Sequence, residues 1–438
     1  MLLLRRVGIV LLLVFGFQNA AFAQFGAMLT GVGPINRSMG GAATAAPLDT
    51  LGAFQWNPAT ISALQNSTDF GLELLVPHST LSSTVNANAF GPGVPPITLS
   101  GSNKSTPTTF PLPEFGVIYR PQDSVITYGV GMLAVGGFST NFPGSNSNPL
   151  LTPPPPNGLG LGPVYTQYQL MQIMPTMSVQ VTDRLSVGFS PIIDMASLSA
   201  DPGVFAAPDN ASGSGFPTYP ALTHGSYQWG AGFQMGAFYV TDSNWQFGAS
   251  FKSPQWFENF TYNAKDQVGG ARMVQLGVDA PMIVSVGSAY TGFDRFLIAV
   301  DGRFLNYQNT KGFHDSGFAS NGAVNGLGWN NIYAMSSGVQ YMVTDATALR
   351  MGYSFSTNPI SNDATFFNVA SPLVIQHGIY VGTSYNFTKN FKVSLTYAHF
   401  FENSISGPIY SGPIAVPGTS VTSSASADSV IIGATFLF

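Results

Sequence analysis

The chain has 438 residues and a formal charge of −5, with charged residues at 8% and aromatics at 13%. Soluble domains carry about 25% charged residues, so this composition argues against a solvated globule, and nothing is basic enough for nucleic acid. Cysteine is absent, which excludes disulfides, thiolate metal sites and thiol catalysis.

Arg5-Arg6 form a positive leader, Val7 to Phe17 an apolar core, and Ala21-Phe22-Ala23 a small-residue cleavage site. Residues 1–23 therefore read as a secretory signal, with the mature chain starting at Gln24. Cleavage leaves 13 basic against 20 acidic residues, a formal charge of −7. Beyond the leader no apolar run reaches the roughly 18 residues that a membrane-spanning helix needs.

Residues 24–66 have no sustained period of two and are rich in Gly and Ala: Asn36-Arg37-Ser38-Met39-Gly40-Gly41-Ala42-Ala43, then Asp49, then Trp56-Asn57-Pro58-Ala59. Small residues let backbone pack closely against a wall, and Pro58 makes Asn57-Pro58-Ala59 a turn. A plug ahead of a β-barrel fits this composition.

From residue 67 onward the pattern alternates. Phe70, Leu72, Leu74 and Val76, then Phe115, Val117 and Tyr119, fall on a lipid face. A Ser/Thr/Pro loop is expected at about 80–110 between them. The third strand, about 125–138, carries Gly129, Gly131, Gly136 and Gly137, and glycine inside a strand marks a bend. Tight polar turns recur at 120–123, 182–184, 241–244, 292–295, 344–347 and 388–390. Longer connections recur at about 201–222, 253–270, 310–327, 358–371 and 406–424. Short turns on one side and long loops on the other predict an all-β fold: an antiparallel transmembrane β-barrel of about 14 strands with both chain ends on the periplasmic side. Its domains are a signal at 1–23, a plug at 24–66 and a barrel at 67–438.

Glu73, Glu114, Asp194, Lys252, Asp279, Asp301, Arg303, Arg350 and Lys392 fall on the inward face. They either pair across the lumen and with the plug or supply a cation for a ligand carboxylate, for which Arg303, Arg350 and Lys252 are the candidates. Trp256, Phe257 and Phe260 lie past the seventh strand, as an interfacial aromatic girdle or an outer landing site for ligand together with Phe205, Phe216 and Tyr219. No G-x-S-x-G, H-E-x-x-H or Walker motif occurs, and the histidines lack ligand spacing. Neither catalysis, metal nor cofactor is expected.

The Met39-Gly40-Gly41-Ala42 stretch, Asp49 and Asn57-Pro58-Ala59, placed between a signal and a barrel pattern, resemble the N-terminal hatch of the FadL-type outer-membrane transporters. The resemblance implies passive uptake of long-chain fatty acids or other hydrophobic compounds. It also implies an inward kink with lateral opening in the third strand, against which Asn57-Pro58-Ala59 should pack. A general porin, an outer-membrane lipase or protease, and an adhesin are the alternatives. The expected partners are a hydrophobic ligand, outer-membrane lipid and the barrel-assembly machinery. The last strand ends in Phe438, a terminal aromatic of the kind that machinery recognises. Removing it should impair assembly, visible as loss of the heat-modifiable band on a gel.

Overall fold

The computed structural model describes residues 25–106, 109–223 and 226–438, so the leader and the cleavage site before Gln24 lie outside the described residues. The wall strands are β1 Ser67–Val85, β2 Phe110–Tyr119, β3 Ile126–Phe142, β4 Val164–Gln180, β5 Leu185–Asp201, β6 Gln228–Val240 and β7 Trp245–Lys252. They continue with β8 Ile283–Phe293, β9 Phe296–Leu305, β10 Ile332–Met342, β11 Thr347–Ser356, β12 His377–Asn386, β13 Phe391–Gly407 and β14 Thr419–Leu437. The sheet contains 16 strands, two of which (Leu99–Lys104 and Trp256–Phe257) only extend an edge; the other fourteen form the wall. Each pairs antiparallel with its neighbour in sequence, and β14 pairs with β1 from Ser67–Leu437 to Val85–Thr419, which closes the ring.

The two faces follow from strand alternation. Phe70, Leu72 and Leu74 are 48%, 39% and 42% exposed, while Glu73 between them is fully buried. Trp245 and Phe247 on β7, Tyr333 and Met335 on β10, and Val430, Ile432 and Phe436 on β14 also face outward. Such a ring turns apolar side chains to hydrocarbon and satisfies its own backbone, as a membrane wall must.

Four strands run further outward than the hydrophobic pattern indicates. β1 continues to Val85 and pairs with Leu99–Lys104, β3 continues to Phe142, and β13 and β14 leave only residues 408–418 between them. The expected loop at 80–110 and the expected connection at 406–424 are thus partly strand. Their outward positions carry Ser and Thr, so apolar alternation stops while the backbone ladder does not.

Residues 25–66 lie inside the ring. They form α1 Pro34–Ser38, α2 Thr50–Trp56 and a 3₁₀ turn Pro58–Ala63, with almost every side chain buried. Gly40 and Gly41 take φ values of 67° and 87°, which glycine adopts without cost. Wall glycines let this segment approach: a Cβ on Gly248 would strike the Thr44 carbonyl, and one on Gly352 the Gly40 amide. Gly248→Val and Gly352→Val should each displace the segment. Limited proteolysis should then cut within residues 25–66 of a barrel that keeps its heat-modifiable band; unaltered protection would show the approach to be loose.

Candidate functional site

The buried charges of the lumen meet the N-terminal segment. Arg37, on α1, donates from Nε to Glu73 Oε2 at 2.9 Å and pairs through its second arm with Glu73 Oε1. Ser429 donates to the same carboxylate at 2.7 Å, and the Arg37 guanidinium lies 5.5 Å from the Phe400 ring centre. The Gly33 amide donates to Glu114 Oε2 at 2.8 Å, and the Ala43 and Thr44 amides donate to Asp301 Oδ2 at 2.8 and 2.9 Å. Asp49, beside Asp69, is pushed up to about 7 by burial and then by that second carboxylate; Lys392 and Arg350 oppose the shift.

Asn57 shows what the Asn-Pro-Ala turn does. Its Oδ1 accepts from the Ala59 amide at 3.1 Å, which caps the 3₁₀ turn, and Pro58 occupies the first helical position, where no amide donor is needed. Its Nδ2 donates to the Thr44 carbonyl at 2.7 Å and to the Ala237 carbonyl of β6 at 3.0 Å. Ser178 on β4 donates to the Ala59 carbonyl at 3.0 Å. The turn therefore rests on β4, β5 and β6 and not on the β3 bend, contrary to the expectation from sequence. Gly188 and Gly236 leave the space for it.

The three candidate headgroup cations are committed elsewhere. Arg303 pairs with Asp301 at 2.7 Å, donates to the Gly41 carbonyl and Ser336 Oγ at 2.8 Å each, and lies 3.7 Å from the Trp56 ring centre. Arg350 donates to Gln340 at 2.7 Å and Ser384 at 2.6 Å. Lys252 donates to Gln172 Oε1 at 3.0 Å, whose amide donates to Asp194 at 2.8 Å. Asp279 is not on a wall strand; its Oδ1 accepts from the Phe257 amide at 3.0 Å.

The four glycines of β3 divide into two pairs. Gly129 and Gly131 face the Phe54 ring of α2 and make room for it. Gly136 and Gly137 stand at a break: the β3–β4 register shifts between Ala134 and Gly136, leaving Val135 as an extra residue. On the other edge, pairing of β2 with β3 ends at Glu114–Leu133, although β2 pairs with β1 up to Phe110–Leu75. Pro111 and Pro113 carry no N–H, and both lie in the stretch that pairs with β1 alone. Above the break the Thr106 amide donates to the Asn141 carbonyl at 2.8 Å. Among the described residues the wall therefore has a window between β1–β2 and upper β3. The N-terminal segment covers it from inside: the Leu29 amide donates to the Val135 carbonyl at 2.8 Å, and the Gly137 amide to the Ala27 carbonyl at 3.0 Å.

A cavity of about 50 Å³ lies at this window, between Leu29, Leu75, Pro77, Phe110, Gly136 and Gly137. A larger one of about 290 Å³ opens beneath the long connections, with Phe205, Tyr219, Phe313, Phe318, Phe366 and Phe367 in its lining. Among the described residues, no carboxylate, lysine, arginine or histidine lines it. Both cavities share Phe138 and Tyr168, which face each other in register with ring centres 5.6 Å apart. Of the expected capture aromatics, Trp256 is 54% exposed, Phe257 packs over Gly230, and Phe260 is buried against Phe257; none lines either cavity. Phe205 and Tyr219 do line the larger one, and Phe216 does not. The connection after β7 is long, spanning 253–282 with its own hairpin of Phe260–Lys265 and Ala271–Leu276. Reasoning from sequence missed Phe138 and the proline pair of β2, although two prolines at alternate positions of one strand were a readable sign of an unpaired edge.

Arg37→Ala would leave Glu73 buried without its counter-ion, a loss of about 3–5 kcal/mol. Amide exchange in residues 30–63 should accelerate accordingly. Arg37→Met combined with Glu73→Met should recover much of the protection, since an apolar pair replaces a buried ion pair at little cost. Equal exchange in wild type and Arg37→Ala would remove the ion pair as the anchor.

Comparison with known proteins fits this geometry. The family model described as outer membrane protein transport protein (OMPP1/FadL/TodX) matches residues 13–438. Among solved structures, the fold is similar to that of the P. putida toluene transporter TodX, with 17% identity, 93% of this chain and 99% of that chain covered, and a TM-score of 0.67. It is also similar to a Pseudomonas aeruginosa FadL homologue, with 16% identity, 96% and 100% covered, and a TM-score of 0.65. The Ralstonia pickettii toluene transporter TbuX gives 18%, 93% and 99%, and 0.63. No curated protein matches the sequence. The chain belongs to the outer membrane protein transport protein (OMPP1/FadL/TodX) family: it is an outer-membrane β-barrel that transports hydrophobic compounds and is not an enzyme.

Proposed function

We propose that this chain carries neutral hydrophobic molecules through the larger cavity, between Phe138 and Tyr168, and out sideways through the β3 window into the bilayer. Residues 24–66 serve as the hatch, and Asn57-Pro58-Ala59 fixes its far end to the wall. The observation that carries this reading is the pair of apolar cavities that share Phe138 and Tyr168 in their linings, one of them lying at the break in the wall.

Each CH₂ moved from water into an apolar pocket contributes about 0.8 kcal/mol, so the larger cavity can draw a hydrocarbon from the medium. Delivery through the floor of the barrel would return the molecule to water and forfeit that gain, whereas a sideways exit keeps it in apolar surroundings throughout. A carboxylate fares differently. It would enter a cavity with no cation among its described lining residues, and an unpaired buried ion costs several kcal/mol. Arg303, Arg350 and Lys252 act in this reading as fasteners of the wall and hatch, and Trp256 as an interfacial aromatic. The relatives described as toluene transporters support a neutral cargo.

Two outcomes are expected. A fatty acid methyl ester should bind more tightly than the free acid of equal chain length, measured by fluorescence displacement; equal affinities would refute the neutral-cargo reading. Gly136→Val with Gly137→Val should abolish hydrocarbon uptake in a barrel that still assembles, because the added side chains collide with the Ala27 and Tyr168 carbonyls at the window. Uptake at the wild-type rate would rule out the sideways route.

A further inference from the structure

The outward face of β13, β14, β1 and the added strand Leu99–Lys104 changes character in three steps from the membrane upward. Lowest come Leu74, Val430 and Leu395, each exposed toward hydrocarbon. Above them stands an ionic step. Tyr397 Oη donates to Asp428 Oδ1 at 2.6 Å, His399 Nδ1 lies 2.8 Å from the same oxygen, and His78 Nε2 lies 3.7 Å from Oδ2. Each imidazole keeps a second ring nitrogen beyond these contacts.

The third step is hydroxylated. The register sets Lys104, Thr80, Ser424 and Ser404 in one row and Ser102, Ser82, Thr422 and Ser406 in the next. None of these side chains is buried. Ser82 bonds Ser102 at 2.8 Å and Thr422 bonds Ser406 at 2.9 Å. A hydroxyl engaged in one such bond still has acceptor capacity for a ligand. Neighbouring strands repeat at about 4.8 Å, so the face is a regular array of hydroxyls with no apolar side chain in either row.

We propose that this face seats the phosphorylated saccharide head of an outer-leaflet glycolipid. The order of the three steps matches the order of that molecule's parts: alkyl chains, then phosphate, then sugar. The face is continuous with the lipid-facing band, so the molecule beside it is a lipid of the outer leaflet. A protein partner is disfavoured because protein interfaces have an apolar, aromatic-rich centre, which these rows lack. The phosphate lies against the second ring nitrogens of His78 and His399, which donate to it in the imidazolium form that Asp428 pairs with, and the sugar hydroxyls exchange hydrogen bonds with the two rows, with Lys104 at their edge. The assignment needs only the outer-membrane location and is independent of which cargo the barrel carries.

The test uses the full-length barrel in detergent and native mass spectrometry with two probes: a short-chain lipopolysaccharide and the same lipid anchor stripped of its core sugars. The wild type should bind the sugar-bearing probe about tenfold more tightly than the stripped one. Ser82→Val with Thr422→Val puts strand-favouring β-branched side chains at both positions but removes two hydroxyls, and should erase that preference while the heat-modifiable band and hydrocarbon uptake persist. If that pair fails to assemble, Ser102→Ala with Lys104→Ala on the added strand, outside the closed ring, should give the same loss. Equal binding of both probes by the wild type, or an intact preference in an assembled variant, overturns the proposal.

Discussion

In hydrocarbon a backbone N–H or C=O without a partner costs several kcal/mol, so a spanning sheet closes on itself and any gap needs a cover. The β3 window is where this barrel meets that constraint. Pro111 and Pro113 end the β2 edge by lacking donors, and Val135 pushes β3 out of register. The freed groups do not stay empty. The Leu29 amide and the Ala27 carbonyl take the places that a neighbouring strand would have filled. The gap in the wall and the start of the N-terminal segment are therefore one structure.

That coupling sorts the segment into strongly and weakly held parts. Residues 30–63 are tied through ionised groups: Arg37 to Glu73, the Ala43 and Thr44 amides to Asp301, and Arg303 to the Gly41 carbonyl. Among the described residues, the hydrogen bonds that tie residues 25–29 are neutral, among them the Ala27 amide to Tyr307 Oη and Tyr307 Oη to the Phe25 carbonyl, at 3.0 Å each, and the one charged contact is the Arg303 guanidinium 5.6 Å from the Phe25 ring centre. Neutral bonds contribute about 0.5–1.5 kcal/mol each, whereas breaking a buried ion pair costs about 3–5 kcal/mol. Movement that uncovers the window is cheapest at residues 25–29, with the rest of the segment staying in place.

The cavities obey the same economy of solvation. Charges in the lumen are engaged in fastening the segment or in tying wall strands together, and the described lining of the larger cavity is aromatic, aliphatic and neutral polar. On the proposed route, a hydrophobic cargo would gain on entering it and lose nothing on passing Phe138 and Tyr168 toward the window. The selectivity of such a route comes from the polarity of its surroundings and the width of the aromatic constriction.

The amino-acid sequence by itself determined the wall. Alternation of apolar and small residues, tight polar turns and the absence of long apolar runs are local signals, and they read out strand count and the inward position of Glu73, Glu114, Asp301 and Arg303. The N-terminal segment was legible too, because its Gly/Ala composition breaks the alternation. What only the tertiary structure decided is who meets whom. Arg303 looked free to bind a carboxylate until Asp301, Gly41 and Trp56 closed around it, and Asn57 proved to hold β6 instead of the β3 bend. Those contacts join residues as much as 262 positions apart for Arg303 and Gly41, and no local pattern encodes such a pairing. The upper ends of β1, β13 and β14 were hidden for a different reason: where hydroxyls replace apolar side chains the ladder continues, but the hydrophobic period that announces it is gone.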